Sequence, residues 1–322
     1  MKLLQYLLGL VLMCCNLLSC DHKELCFDHS HIASLKVAFD WVSAPEANPE
    51  SMSLYLFSED GTNPQRYELS GREGGTIRVS PGIYHAICLN SDTRNIDCRD
   101  KEHISSFLVT TKDYDATAIV NSLGLKSTTL PRSRGTEDER MVREPEMLWI
   151  GSTRSFLVEE GTDNLVTLSP EESVIKLSIS IYNVQNLRYV SGMQGTISGL
   201  SEGILAADGV HNGCGVTLPF ALTKNDEGTA LTAQMQTFGD CLSGNEAHYV
   251  NLYLVLADGS KWNYSYDVTA QLHEADESNH IHLVLDELPI PKPDGGGGGG
   301  SEGGGFVPTI DGWKSVNIGI KM

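Results

Sequence analysis

Strict alternation of apolar and polar side chains over residues 174–182 restricts what this chain can fold into more than any other feature. Ile175, Leu177, Ile179 and Ile181 would point to one side of an extended backbone, and Lys176, Ser178 and Ser180 to the other. That is the pattern of a half-buried β-strand. The same period of two recurs at Leu35, Val37, Phe39 and Trp41, at Val250, Leu252, Leu254 and Leu256, and at Ile281, Leu283 and Leu285. Residues 53–57, 76–79 and 83–89 read as further strands, bounded by Asp60-Gly61, Gly74-Gly75 and Pro81-Gly82. Asp258-Gly259 lies between residues 250–256 and the run Trp262, Tyr264, Tyr266, which is a hairpin signal. Helical character is confined to one modest stretch, residues 116–125, so the crossover units of a parallel α/β fold are not supplied. Short strands joined by tight turns predict an all-β chain of β-sandwiches.

A length of 322 residues exceeds one average domain and predicts two. Between Pro131 and Pro145 the run from Arg132 to Arg140 is polar, charged and without periodicity, and reads as an exposed loop or linker open to proteases. A boundary near residue 145 divides the chain into domains at 34–143 and 144–294. Residues 295–305 are glycine broken only by Ser301 and Glu302, the composition of a flexible linker. Beyond it, segment 306–322 ends with Val316, Ile318, Ile320 and Met322 alternating against Asn317, Gly319 and Lys321. An apolar-faced strand must pair with a sheet, either that of its own second domain or the open groove of another protein.

The amino terminus sets the compartment. Lys2, an apolar run at residues 3–12 and Leu17-Leu18-Ser19-Cys20 form a lipobox, which predicts a signal peptide at 1–19 and a lipidated Cys20. The run is too short to span a bilayer. Two or more acyl chains on Cys20 would give stable membrane anchoring, with residues 20–33 as a tether. The formal charge of −19 repels phosphate backbones and argues against a nucleic-acid partner. Past Cys20 and Cys26 the cysteines are Cys88, Cys98, Cys214 and Cys241. Outside the cytoplasm, Cys88 with Cys98 and Cys214 with Cys241 are the candidate disulfides, and free buried thiols are the alternative.

Other chemistry is weakly signalled. His22, Cys26, His29 and His31 carry metal-ligating atoms, but their order matches no zinc pattern and reads as a solvated tether, so no metal or cofactor is expected. Gly199-Leu200-Ser201-Glu202-Gly203 fits a nucleophile elbow in letters only. Residues 204–209 are too short and turn-prone for the helix that must follow, so a turn between strands is expected and no enzymatic activity. Trp41, Trp149, Trp262, Tyr264 and Tyr266 would serve a surface glycan-binding protein if coplanar and exposed, but on alternating strands they are core candidates.

Several stretches together resemble the fimbrillin-like lipoproteins of Bacteroides-type bacteria, and within them the fimbrial anchor group. These are residues 20–26 leading to Asp28-His29 and Phe39-Asp40-Trp41, then Leu54-Tyr55-Leu56-Phe57, Leu148-Trp149, residues 264–269 and 306–313. The resemblance implies two tandem transthyretin-like or Ig-like β-sandwich domains, outer-membrane attachment at the cell surface through the lipidated cysteine, and a place at or near the base of a fimbria. It also implies assembly by strand complementation with a fimbrial subunit, with Val316, Ile318, Ile320 and Met322 as the donor strand. The arginines of residues 132–140 match no cleavage motif of that family.

Overall fold

The computed structural model describes residues 32–126, 128–213, 215–240, 247–275, 279–293, 309–310 and 312–319. The signal peptide, Cys20, the cluster of His22, Cys26, His29 and His31, the glycine run, Cys214, Cys241, Ile320 and Met322 lie outside these residues.

The first sandwich packs a three-stranded sheet on a five-stranded one. In the smaller sheet Ala33–Phe39 is flanked by Asn164–Leu168, parallel to it, and Gly75–Val79, antiparallel. Leu35, Val37 and Phe39 are buried, as the alternation requires, because only one face of this sheet meets the core. In the larger sheet the order is Glu171–Glu172, Trp149–Val158, Gly82–Asn90, Ser51–Ser58 and Gln65–Ser70. Here alternation is lost, and residues 52–57 are all buried. Met52, Leu54 and Leu56 enter the sandwich core, while Tyr55 and Phe57 enter a second core on the sheet's other face.

The second sandwich packs a four-stranded sheet on a seven-stranded one. The former runs Thr223–Lys224, Leu231–Thr237, Ile175–Val184, His280–Leu288. The latter runs Thr309–Ile310, Trp313–Ile318, Lys261–Asp267, Tyr249–Leu256, Val190–Leu200, Val216–Phe220, Arg140–Met141. Leu177, Ile179 and Ile181 pack with Val250, Leu252, Leu254 and Leu256 in one core, as read from their spacing. Gly259, at φ +82°, lies in the connection that joins strands 249–256 and 261–267 antiparallel. Such a left-handed backbone position favours glycine.

The boundary expected near residue 145 is corrected by these pairings. Strands 149–158 and 164–168 return to the first sandwich, and the second begins in earnest only at residue 175. A small sheet laces the halves together, in the order Val210–Asn212, Gly203–Leu205, Leu108–Thr111, Ile96–Arg99. Beneath it, Phe107, Val109, Ile204 and Phe238 meet Tyr55, Phe57, Ile87 and Leu89 in the second core. The helix read at 116–125 is present over Thr117–Ser122.

Residues 131–140 form a loop only partly exposed, with Arg134, Gly135, Glu137 and Asp138 open to solvent and the rest held against the second sandwich. Ser133 and Thr136 are buried, and Arg132 donates to the carbonyls of Thr136 and Glu139 and to the Thr217 hydroxyl. Ser133 donates to Asn251 Oδ1 at 2.9 Å and meets the Ser265 hydroxyl at 2.8 Å. A polar sequence is held against a sheet face because that face offers polar groups to it.

Candidate functional site

One edge of the seven-stranded sheet is completed by strands from the carboxy-terminal segment. Without the last strands, Lys261–Asp267 would be its edge, presenting unpaired backbone groups. Trp313–Ile318 covers that edge in parallel, with Lys261 opposite Trp313, Tyr264 opposite Val316 and Tyr266 opposite Ile318. Side chains alternate across the added strand. Val316 and Ile318, two of the expected donor residues, pack half-buried against the sandwich core. Trp313 enters the other face and is fully buried.

Trp313 acts as a plug. It meets Tyr253 edge-on with ring centres 5.6 Å apart, in a cluster that includes Ile119, Leu123, Met141 and Val255. Its indole Nε1 donates to Thr128 Oγ1 at 3.0 Å, and Lys261 Nζ lies 5.7 Å from its ring centre. Tyr253 donates its hydroxyl to the Pro131 carbonyl. The pocket for Trp313 therefore comes from the segment after strand 108–111 that crosses the outer face of the second sheet. Sequence reasoning placed Trp313 in the tail without assigning it this role, since nothing local to residue 313 signals a pocket built from residues 114–141.

The far side of the added strand is covered over little of its length. Among the described residues Thr309 and Ile310 pair there, opposite Lys314 and Trp313, and no described strand pairs beyond residues 315–318. Lys314 extends over the ring of Trp262, 4.8 Å from its centre, and Trp262 stacks on Tyr264.

The other sequence candidates disperse. Tyr264 and Tyr266 are fully buried, with hydroxyls donating to the carbonyls of Pro289 and Glu287. Trp41 is buried, stands edge-on to Trp149 and donates Nε1 to the Arg72 carbonyl. These five aromatics form no coplanar exposed face. Ser201 is buried and donates to the Gly203 carbonyl, in a turn between strands 190–200 and 203–205. Gly203 permits close packing, because a Cβ there would lie 2.2 Å from the Val109 carbonyl oxygen. Cys88 and Cys98 are free thiols rather than a disulfide. Cys88 faces the first sandwich core while Cys98 packs against the second core, so a sheet lies between them.

Two tandem β-sandwiches define the class of fold, and a solved structure shares it. A "putative adhesin" from Bacteroides ovatus superposes with a TM-score of 0.59 at 20% identity, covering 81% of this chain and 96% of that one. The fimbrial anchor protein Mfa2 from Porphyromonas gingivalis aligns over 81% of this chain and 92% of its own at 12% identity, with a TM-score of 0.48. The family model described as a domain of unknown function, DUF5119, matches residues 19–221, and the chain belongs to that family. The resemblance to fimbrial anchors is carried by a relative, the "Putative fimbrium anchoring subunit Fim4B" of Bacteroides ovatus, 24% identical over 186 residues. That match spans 58% of this chain and about half, 51%, of the relative.

Proposed function

We propose that the chain is an accessory subunit of a fimbria, held to the outer membrane by acyl chains on Cys20 and joined to a neighbouring subunit by strand complementation. The carrying observation is the edge at strands 261–267 and 313–318. Parallel main-chain pairing, a buried anchor at Trp313 and half-buried Val316 and Ile318 are the elements of β-strand addition, in which backbone bonds give affinity and alternate side chains give specificity. The strand rests on its own sheet in the single chain and is donated to the neighbour on assembly. The name of the Bacteroides ovatus relative supports the fimbrial role, and a family match that starts at residue 19 accords with a mature chain starting at Cys20.

Locking the strand tests donation. Asn263 and Ser315 are partners in the parallel register, so Asn263→Cys with Ser315→Cys can be bridged by oxidation. The oxidised chain is expected to lose capture of fimbrial subunits in a pull-down, and reduction to restore it. Equal capture by oxidised and reduced chains would show that the strand is not donated. For the anchor, Cys20→Ala is expected to move the chain from the membrane to the soluble fraction. Retention of the variant in the outer membrane would remove the lipid from the account.

A further inference from the structure

Three side chains that strand addition does not use converge at one end of the second sandwich. Asp240 follows strand 231–237 of the four-stranded sheet, His248 immediately precedes strand 249–256 of the seven-stranded sheet, and His273 ends the short helix Thr269–His273. His248 Nε2 lies 3.0 Å from Asp240 Oδ1 and 3.0 Å from His273 Nε2, and His273 Nε2 lies 3.4 Å from Asp240 Oδ2. The candidate ligand atoms of the three residues all fall within 4.8 Å of one another. The two imidazoles meet edge to face, with ring centres 5.0 Å apart and planes at 86°.

These separations are those of ligands around one small ion. Donors at roughly 2.0–2.2 Å from a tetrahedral zinc are about 3.3 Å apart, and two imidazoles bound through Nε2 place their ring centres about 5 Å apart. Each of the three residues offers one ligand atom to a cation at the centre of this triangle.

The surroundings fix the ligands. His211 Nδ1 meets the Asp240 carbonyl at 3.0 Å, the tautomer with Nδ1 protonated making it the donor, and the preceding Gly239 adopts φ +96° while its carbonyl accepts from the Ser201 N–H. The His248 N–H donates to Thr269 Oγ1 at 2.9 Å, and its buried ring lies against Gly199, where a Cβ would come within 2.6 Å of Nδ1. Asp240 and His273 are 30% and 29% exposed in their side chains, which leaves an approach for an ion and for water.

We propose that Asp240, His248 and His273 form a site for a divalent transition-metal ion of the zinc class, with its remaining coordination open to solvent. Two imidazoles with one carboxylate suit zinc and its neighbours rather than calcium or magnesium, which take oxygen ligands. A bound ion ties the four-stranded sheet to the seven-stranded sheet and to the helix that follows it, stabilising the native state alone.

The test uses the purified full-length chain, stripped with chelator and titrated with Zn2+, with Co2+ as an optical probe. Zn2+ is expected to raise the melting temperature in a concentration-dependent manner, and Co2+ to give visible ligand-field bands. His273→Gln, at a partly exposed position, and Asp240→Asn, nearly isosteric, should each weaken binding about 100-fold or more. His211→Ala, which touches no ion, should weaken it about 10-fold, as expected for a positioning residue. Joint replacement of His22, His29 and His31 by Gln should leave both signals intact. The proposal is overturned if Zn2+ moves neither signal, if both ligand variants respond like the parent, or if the signals vanish with the amino-terminal histidines.

Discussion

At the residue scale, burial governs the chemistry of the two described thiols. Burial pushes Cys88 up to about 12 and Cys98 up to about 11. A raised thiol pKa leaves little of the reactive thiolate at pH 8. Iodoacetamide at that pH is expected to leave Cys88 unlabelled until the chain unfolds and to label Cys98 slowly, faster as pH climbs toward 11. Mass spectrometry of alkylated peptides across a urea series checks this, and rapid native labelling of Cys88 would contradict its place in the core. Spacing of ten residues made the two look like partners. What spacing does not record is which face each occupies, and faces were decided by strands 51–58 and 82–90, whose two sides both became core.

At the scale of elements, the strands most legible in the sequence were those with one face in a core and one in water. Residues 175–181 and 281–285 kept the period of two because each turns one set inward and the other outward, whereas 250–256 is buried on both faces although its sequence alternates. Residues 52–57 did not, because burial on both faces erases alternation. The segment 131–140 was read as wholly exposed for a related reason: the polarity of Ser133 answers Asn251 and Ser265 on a sheet face, while Arg134, Glu137 and Asp138 do face solvent. At the candidate site, sequence found the tail strand and its apolar face, and the Trp313 pocket escaped it. Trp313→Ala is expected to cost about 3–5 kcal/mol in chemical denaturation, as for truncation of a buried tryptophan. A loss below about 1 kcal/mol would mean that the tail is not seated as described.

At the scale of the whole molecule, polar groups join the halves. Arg140 Nη2 binds Glu202 Oε1 at 2.9 Å and Nη1 binds Asp113 Oδ1 at 2.6 Å, Arg99 reaches the same Glu202 oxygen at 3.1 Å, and Thr110 donates to the Glu202 carbonyl at 2.6 Å. Arg140→Leu leaves the partly buried Glu202 with one cation fewer. Hydrogen exchange is expected to quicken in strands 108–111 and 203–205 while strand 249–256 stays protected. Unchanged exchange in the small sheet would show that the cluster does not hold it. Two compact domains in sequence order were expected because a polar stretch resembled a boundary. Long-range return of residues 149–172 to the first sandwich leaves no local mark.

That return has a mechanical consequence. Beads on a string part when one connecting strand of rope is drawn straight. Here residues 108–110 pair with residues 203–205, and residues 140–141 pair with 216–217 before the chain turns back. The two bodies are spliced, so a pull between the two ends of the chain is shared by several backbone crossings at once. Pulling them apart would require hydrogen-bonded strands to shear together, and the molecule should yield at its ends before its middle.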